Sequence, residues 1–410
     1  MNPGALQGIL HHHSIGQLVW DYQHIMGLKR RRFLGLGGGI LGGVGLSMIG
    51  HRLLADSAPV PTRGPAPSPL PEPVPSPVAS PAPAGLFAPA RGDVRIVVIS
   101  DLNSQYGSTD YDPEVDQAIA FTPDWQPDLV LCGGDMVAGQ SASLSRAQIE
   151  AMWAAFDQHV AAPLRRAQIP FGFTVGNHDA SAAQSGGQYS FQQERDLAAA
   201  YWNASQHNPG LTFVDRAQFP FYYTFAQKNI FYLVWDASAS RLSAEQLAWV
   251  ERSLASEAAQ SATLRIAIGH LPLYAVAVGR DRPGEILDDA DRLRSLLERH
   301  RVHTYISGHH HAYFPGHRGS LQMLHAGAMG GGPRPLLNSN LAPFKTLTVV
   351  DVRLAEADTV YTTYDLRTWQ VVDQQTLPRL VVGPNGWILR RDVEEANLSA
   401  AERAAAGLTP

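Results

Sequence analysis

The chain has 410 residues, 45% of them hydrophobic and 17% charged, so it can bury a substantial core as one large domain or two small ones. A formal net charge of −5 excludes the global basic field that would hold nucleic acid as a stable partner. The single cysteine, Cys132, excludes an internal disulfide. Its place in the apolar run Leu129–Cys132 reads as a small buried residue rather than a thiolate nucleophile.

Residues 1–57 do not read as a folded domain. Lys29–Arg32 is followed by Phe33-Leu34 and a glycine-rich apolar stretch from Gly35 to Ile49, with small residues near Ala55–Ala58. A basic stretch, an apolar stretch and small residues in this order form an export signal. The segment Arg30-Arg31-Arg32-Phe33-Leu34 also resembles the twin-arginine pattern. That resemblance implies the twin-arginine export machinery as a partner and a periplasmic or extracellular location. The competing reading is an uncleaved membrane anchor, although the segment is short for a span and diluted by glycine. Met26 would open the protein on the basic run and is the expected initiator, which leaves His11–His13 without a role. Residues 58–92 are mostly Pro, Ala, Ser and Val, a composition that favours extended polyproline conformation and reads as a linker.

The main domain is expected over residues 93–376. Apolar runs at Val94–Ile99, Asp128–Cys132, Phe171–Val175, Leu264–Ile268 and Val302–Ser307 are short enough for buried strands and end in glycine or polar residues. Helical spacing appears at Ala147–Val160, Ser243–Leu254 and Asp288–Leu297, with Ser243 and Asp288 as N-cap candidates. Further strand-like runs are Phe221–Phe225, Ile230–Trp235, Leu321–His325 and Thr346–Val352. The alternation predicts an α/β domain with sheets inside and helices outside. Residues 377–410 have weak periodicity and read as a short helical tail.

Five polar clusters each follow an apolar run. They are Asp101-Leu102-Asn103, Gly134-Asp135, Gly176–Asp179, Gly269-His270 and Gly308–His311. In α/β folds such positions, at the carboxyl ends of strands, collect into one crevice. Two divalent metals about 3.5–4 Å apart can clamp an in-line displacement at phosphorus, and they need a bridging carboxylate plus terminal oxygen and nitrogen ligands. Asp135, after a glycine pair that allows a sharp turn, suits the bridge. Asn177 offers a carbonyl oxygen, and His270, His309 and His311 offer imidazole nitrogens. In an extended Gly-His-x-His segment alternate side chains share a face, so His309 and His311 can both reach the metals while His310 faces elsewhere.

This ordered set over residues 93–350 resembles the calcineurin-like metallophosphoesterase superfamily, with its D-x-H, G-D, G-N-H-D, isolated His and G-H-x-H motifs. The resemblance implies a two-sheet β-sandwich flanked by helices and hydrolysis of a phosphomonoester or phosphodiester by a metal-bound hydroxide. It implies that Asp101 and His311 bind the first metal, with Asn103 at the usual histidine position. Asn177, His270 and His309 would bind the second, and Asp135 would be shared. His178 would act near the leaving group, and Asp179 would orient His178 and hold its tautomer. The metals would be two of Mn, Fe, Zn, Mg or Ca.

Asn103 departs from the pattern. An amide oxygen is a harder, weaker donor than imidazole nitrogen, which shifts the first site toward Mn, Mg or Ca and away from Zn. The alternative is that Asn103 holds a metal-bound water. Purple acid phosphatases carry a tyrosine three residues after the bridging aspartate, whereas Asp135 is followed by Met136-Val137-Ala138, so that subfamily is not expected.

Other residues carry two readings each. His310 reads as solvent-facing or as support for the ligands, and His325 as a core histidine or a neighbour of the site. Arg280, Arg282 and Arg334 read as solvated charges or as contacts to substrate phosphate, and Tyr106 as an unpatterned aromatic or part of the pocket wall. The leading function is an exported phosphoesterase acting on a phosphorylated small molecule or lipid. A catalytically weak binding or envelope-associated protein on the same scaffold is the competing class, suggested by Asn103. A membrane-lipid phosphatase held by an uncleaved signal is the third.

Overall fold

The computed structural model describes residues 80–408, which fall within one compact unit, Pro75–Pro410. The export signal, the anchor alternative, Met26 and most of the linker lie outside the described residues. No helix among the described residues is long and apolar enough to cross a membrane.

Two β-sheets form the interior. In spatial order the first runs Gln370–Val371, Asp358–Asp365, Thr346–Arg353, Val94–Ile99, Leu129–Cys132, Phe171–Phe173. The second has nine strands. It runs Leu380–Gly383, Gly386–Arg390, Tyr313–Arg318, Leu321–Ala326, Thr304–Ser307, Leu264–Ile268, Ile230–Val234, Tyr222–Gln227, Phe213–Gln218. Each sheet contains a parallel block: Val94–Ile99, Leu129–Cys132 and Phe171–Phe173 in one, and Ile230–Val234 through Leu321–Ala326 in the other. These strands are covered on both faces, which is why they read as unbroken apolar runs rather than alternating ones. The sheets face each other as a sandwich. Tyr223 of the second sheet joins both backbone groups of Phe173 in the first, accepting from its N–H at 3.1 Å and donating to its carbonyl at 2.6 Å.

Helices Arg146–Phe156, Gln192–Asn203, Ala244–Ala255 and Ala290–Arg299 flank the sheets, so the expected α/β sandwich is the observed architecture. Ser145 starts the first of these with a capping box to Gln148, and the helix continues through a π turn at Asp157–Ala161. Ser243 caps its helix by accepting from the Gln246 N–H, as expected. Asp288 does not cap. The Ala290–Arg299 helix begins after Asp289 in a left-handed conformation, and the Asp288 carboxylate pairs with Arg241 instead.

Both ends of the domain reach beyond the expected 93–376. Residues 80–92 pack on the first sheet. The carbonyls of Pro81 and Pro89 accept from the Arg95 guanidinium, and that of Phe87 accepts from the Tyr364 hydroxyl. Arg95 also grips the Asp351 carboxylate with two bonds, at 2.9 and 3.0 Å, from the position directly opposite on the neighbouring strand. Beyond 377, the hairpin Leu380–Gly383/Gly386–Arg390 adds two strands to the second sheet before a short helix at Ala400–Ala405. Its edge position and glycine turn left too little apolar periodicity to read.

Two positions mentioned above are core residues. Cys132 is fully buried, and burial pushes its thiol well above the usual range. His325, on the strand Leu321–Ala326, is buried with Nδ1 3.2 Å from the Phe314 carbonyl, and burial depresses its pKa to about 4. His303 is held down to about 4 by burial and then by Arg391. An unfolded chain takes up these protons below about 6.5, and the folded chain does so only near 4, so acid favours unfolding across that interval. Stability should therefore fall as pH drops from 6.5 toward 4. In His325→Gln the difference in unfolding free energy between pH 7 and pH 5 should shrink by about 2 kcal/mol. An unchanged difference in chemical denaturation would show that His325 is not held neutral.

Candidate metal centre

All five polar clusters lie just beyond the carboxyl ends of the parallel strands, where the two sheets meet. Asp101 follows Val94–Ile99, Asp135 follows Leu129–Cys132, and Asn177 opens a single helical turn after Phe171–Phe173. His270 follows Leu264–Ile268, and His309 and His311 follow Thr304–Ser307. The backbones here leave no room for side chains. A Cβ on Gly176 would strike the Asp135 carboxylate, and one on Gly308 would strike Ser100 and Asp101. Asp101, Asp135, His309 and His311 all have φ between 51° and 64°, a left-handed conformation that costs non-glycine residues on the order of 1–3 kcal/mol each.

Two donor groups result, with Asp135 in both. Asp135, His270 and His309 form one, and Asp101, Asp135 and His311 the other, each with its ligand atoms within 4.8 Å of one another. His270 Nε2 lies 3.2 Å from Asp135 Oδ2 and 3.0 Å from Asn177 Oδ1. His311 Nε2 lies 3.2 Å from Asp101 Oδ1. Asp101 is further fixed by the Ser100 hydroxyl at 2.6 Å and the His309 N–H at 3.0 Å.

The family pattern for calcineurin-like phosphoesterases matches residues 94–313, more than half of the chain. The chain belongs to the calcineurin-like phosphoesterase family. No curated protein matches it. Among solved structures, it is similar to a purple acid phosphatase from yellow lupin (Lupinus luteus) seeds at 18% identity, TM-score 0.49, covering 68% of this chain and 52% of that one. It is also similar to the anchor in the inner membrane complex of Plasmodium, at 13% identity, TM-score 0.45, covering 76% of this chain and 94% of that one. A putative 5'-nucleotidase from Staphylococcus aureus gives 12% identity, TM-score 0.37, and coverage of 77% and 57%. The chain spans about half the length of the lupin protein, and at these scores the likenesses carry no argument about activity.

The calcineurin-like phosphoesterase family implies divalent metal ions, and the donor chemistry of this member fits them. A backbone carbonyl can only accept. His270 Nδ1, 2.7 Å from the Gly133 carbonyl, must therefore carry hydrogen, as must His311 Nδ1, 3.0 Å from that of Gly332. In both neutral rings Nε2 then presents a lone pair toward carboxylate oxygen. His309 is turned the other way. Its Nε2 is 2.9 Å from the Glu285 carboxylate, which leaves Nδ1 for the centre. Lone pairs facing lone pairs repel unless a cation or a proton lies between them. Burial opposes charge on His270, yet Asp135 outweighs it and raises the pKa to about 9. Burial likewise raises the Asp135 carboxyl, but His270 and then His178 outweigh it and hold it far below the usual range.

Glu285 and Gln140 were not among the residues singled out by sequence. The Glu285 carboxylate receives His309, Arg280 at 2.5 Å and Arg282 at 3.1 Å, and the His309 hydrogen bond first, then Arg280, holds its pKa down against burial. Its place three residues after Arg282 and five after Arg280 was the available signal. Gln140 Oε1 accepts from Asn177 Nδ2 at 2.7 Å, which turns the Asn177 oxygen toward the centre.

Asp179 does not orient His178. Its carboxylate accepts from the Met136, Val137 and Gly176 N–H groups at 2.7, 2.9 and 2.8 Å, bracing the two loops that carry Asp135 and Asn177. Burial and then the Asp135 charge raise its pKa to about 7 against those donors. The His178 tautomer is fixed by Gly139, whose carbonyl lies 3.0 Å from Nδ1. Nε2 is left free, 3.9 Å from Asp135 Oδ2. His310 is neither solvent-facing nor a ligand. It is fully buried, accepting the Val276 N–H at Nδ1 and donating Nε2–H to the Glu285 carbonyl. Asn103 is 6% exposed, and its side chain makes no hydrogen bond with any described residue. Tyr106, Gln140, Asn177, Arg280, Glu285 and Arg334 line a cleft of ≈ 1050 Å³ over the centre.

Removing the carboxylate behind His309 should weaken metal binding by about 10–100-fold in Glu285→Ala, measured by competition with a chelator of known affinity. Unaltered affinity would remove Glu285 from the centre. Asn103→His should tighten zinc at the Asp101–His311 side in the same titration. No change in affinity or stoichiometry would mean that Asn103 does not coordinate.

Proposed function

We propose that this chain hydrolyses phosphoester bonds with two divalent metals, one held by Asp101, Asn103 and His311, the other by Asn177, His270 and His309, and both by Asp135. The observation that carries this reading is the pair of donor groups sharing Asp135, with every histidine fixed through its other nitrogen. When bound, the cations supply Lewis acidity at phosphorus and lower the pKa of water to furnish a nucleophile.

The chain's own groups do the rest. Asp101 and Asp135, both fully buried, place two negative charges where cations must be attracted and water excluded. Asn177 contributes a neutral oxygen, so the second site is less anionic than the first. His178 is the leaving-group residue. With Nδ1–H committed to Gly139, a second proton can sit only on Nε2, on the side facing Asp135 and the cleft. The Tyr106 ring, 5.0 Å from the His178 ring, covers this imidazole from the solvent side and lines the cleft where a leaving group would lie. Asp179 acts as a positioning residue for the loops rather than as a catalytic one.

The substrate class supported by this cleft is a phosphorylated small molecule. The twin-arginine-like residues Arg30–Leu34 support export as the setting for this activity.

Purified protein loaded with Mn or Zn should hold two ions per chain and release phenol from an aryl phosphate or a bis-aryl phosphodiester. His178→Ala should lower kcat by about 10²–10⁴-fold with the metal content unchanged. Absence of turnover in protein shown to hold two ions would favour the binding role on the same scaffold.

A further inference from the structure

The cleft over the metal centre carries a charge opposite to that of the whole chain. Arg241, Arg280, Arg282 and Arg334 line it against one acidic side chain, Glu285, although the protein has a formal net charge of −5. Arg241 is neutralised by Asp288, and Arg282 is largely exposed and paired with Glu285. Arg280 and Arg334 differ from these. Arg280 shares the already crowded Glu285 carboxylate, and its Nε is buried without a partner. Arg334 has no ion pair among the described residues, and its Nε is also buried without a partner. A buried guanidinium N–H with nothing to bond is costly, and two such groups side by side also repel each other.

The backbone builds this arrangement deliberately. Ala277 and Leu336 form an antiparallel bridge, flanked by Val278 N–H to the Pro335 carbonyl at 3.0 Å and Leu337 N–H to the Val276 carbonyl at 2.8 Å. This zips the Arg280 loop to the Arg334 loop. The Arg334 N–H in turn bonds the His311 carbonyl at 2.9 Å, which ties the pair to the metal-ligand segment. Arg280 Nη1 sits 3.5 Å from His309 Nε2, the ring nitrogen turned away from the centre. Arg280 therefore lies one imidazole ring away from the donor groups, and Arg334 is tied by its backbone to the same segment.

We propose that Arg280 and Arg334 form an anion subsite that takes a second phosphate group of the substrate, so that the substrate is a diphosphate-bearing small molecule. The proposal rests on the phosphoester-hydrolase reading of the same centre. The second phosphate supplies acceptors for the two unpartnered Nε–H groups and neutralises the excess of guanidinium charge. Arginine suits this task because its planar fork binds phosphate oxygens in pairs.

The test uses metal-loaded protein at fixed free metal, with pyrophosphate and orthophosphate as calorimetric probes. Arg334→Ala should weaken pyrophosphate binding by about tenfold or more, and by at least five times more than it weakens orthophosphate binding. Arg334→Lys, which keeps the charge and loses the fork, should restore part of the difference. The same ratio should appear in kcat/KM for a nucleoside diphosphate against an aryl phosphate. Equal losses for both probes would place Arg334 on the reacting phosphate, and no loss for either would make it a solvated charge. Either result overturns the subsite. If neither substrate turns over, the hydrolase reading fails, and the calorimetric ratio still decides the subsite.

Discussion

The fold converges on the carboxylate of Asp135. One oxygen receives the His178 N–H and the other faces His270, while the residue's own carbonyl accepts from Leu102 and Asn103. Loops from both sheets therefore close around this buried anion. Burying that charge without compensation would be prohibitive. The histidines, their backbone anchors and the left-handed turns are the means by which the chain brings positive charge to it.

A hierarchy of supports follows. The inner groups are those that face the centre. Behind each stands an acceptor that fixes its orientation: Gly133 for His270, Gly332 for His311, Glu285 for His309 and Gln140 for Asn177. All four of these supports are loop residues rather than strand residues, and the loops are themselves held by Asp179 and His310. Precision in a loop-built site comes from this outer layer of bonds.

Sequence made the centre legible because ligand chemistry resides in residue types. Asp135, His270 and the Gly-His-x-His segment can be recognised wherever they stand. The parallel strands were legible for a different reason, since burial on both faces leaves an apolar run with a sharp polar end. Supports were less visible. Gly133, Gly139 and Gly332 act through carbonyls that any residue carries, so nothing in their identity marks the role. Asp179 was misjudged because adjacency to His178 suggested contact, whereas one helical turn points its carboxylate back at the amides of Gly176, Met136 and Val137. The strand Tyr313–Arg318 mixes proline, glycine, histidine and arginine into one short run, and its pairing with Gly386–Arg390 is decided by a partner distant in sequence.

His310 lies between two histidines that face the donor groups but faces neither itself. Its ring spans from the amide of Val276 to the carbonyl of Glu285, clasping the cleft loop to the Gly308–His311 segment. The geometry of the cleft and that of the donor groups thus share one mechanical joint. An alanine scan would score His310 alongside its neighbours, and the loss would look like that of a ligand. What distinguishes it is the kind of replacement that suffices: a side chain able to accept at one end and donate at the other restores the clasp with every donor of the centre still in place.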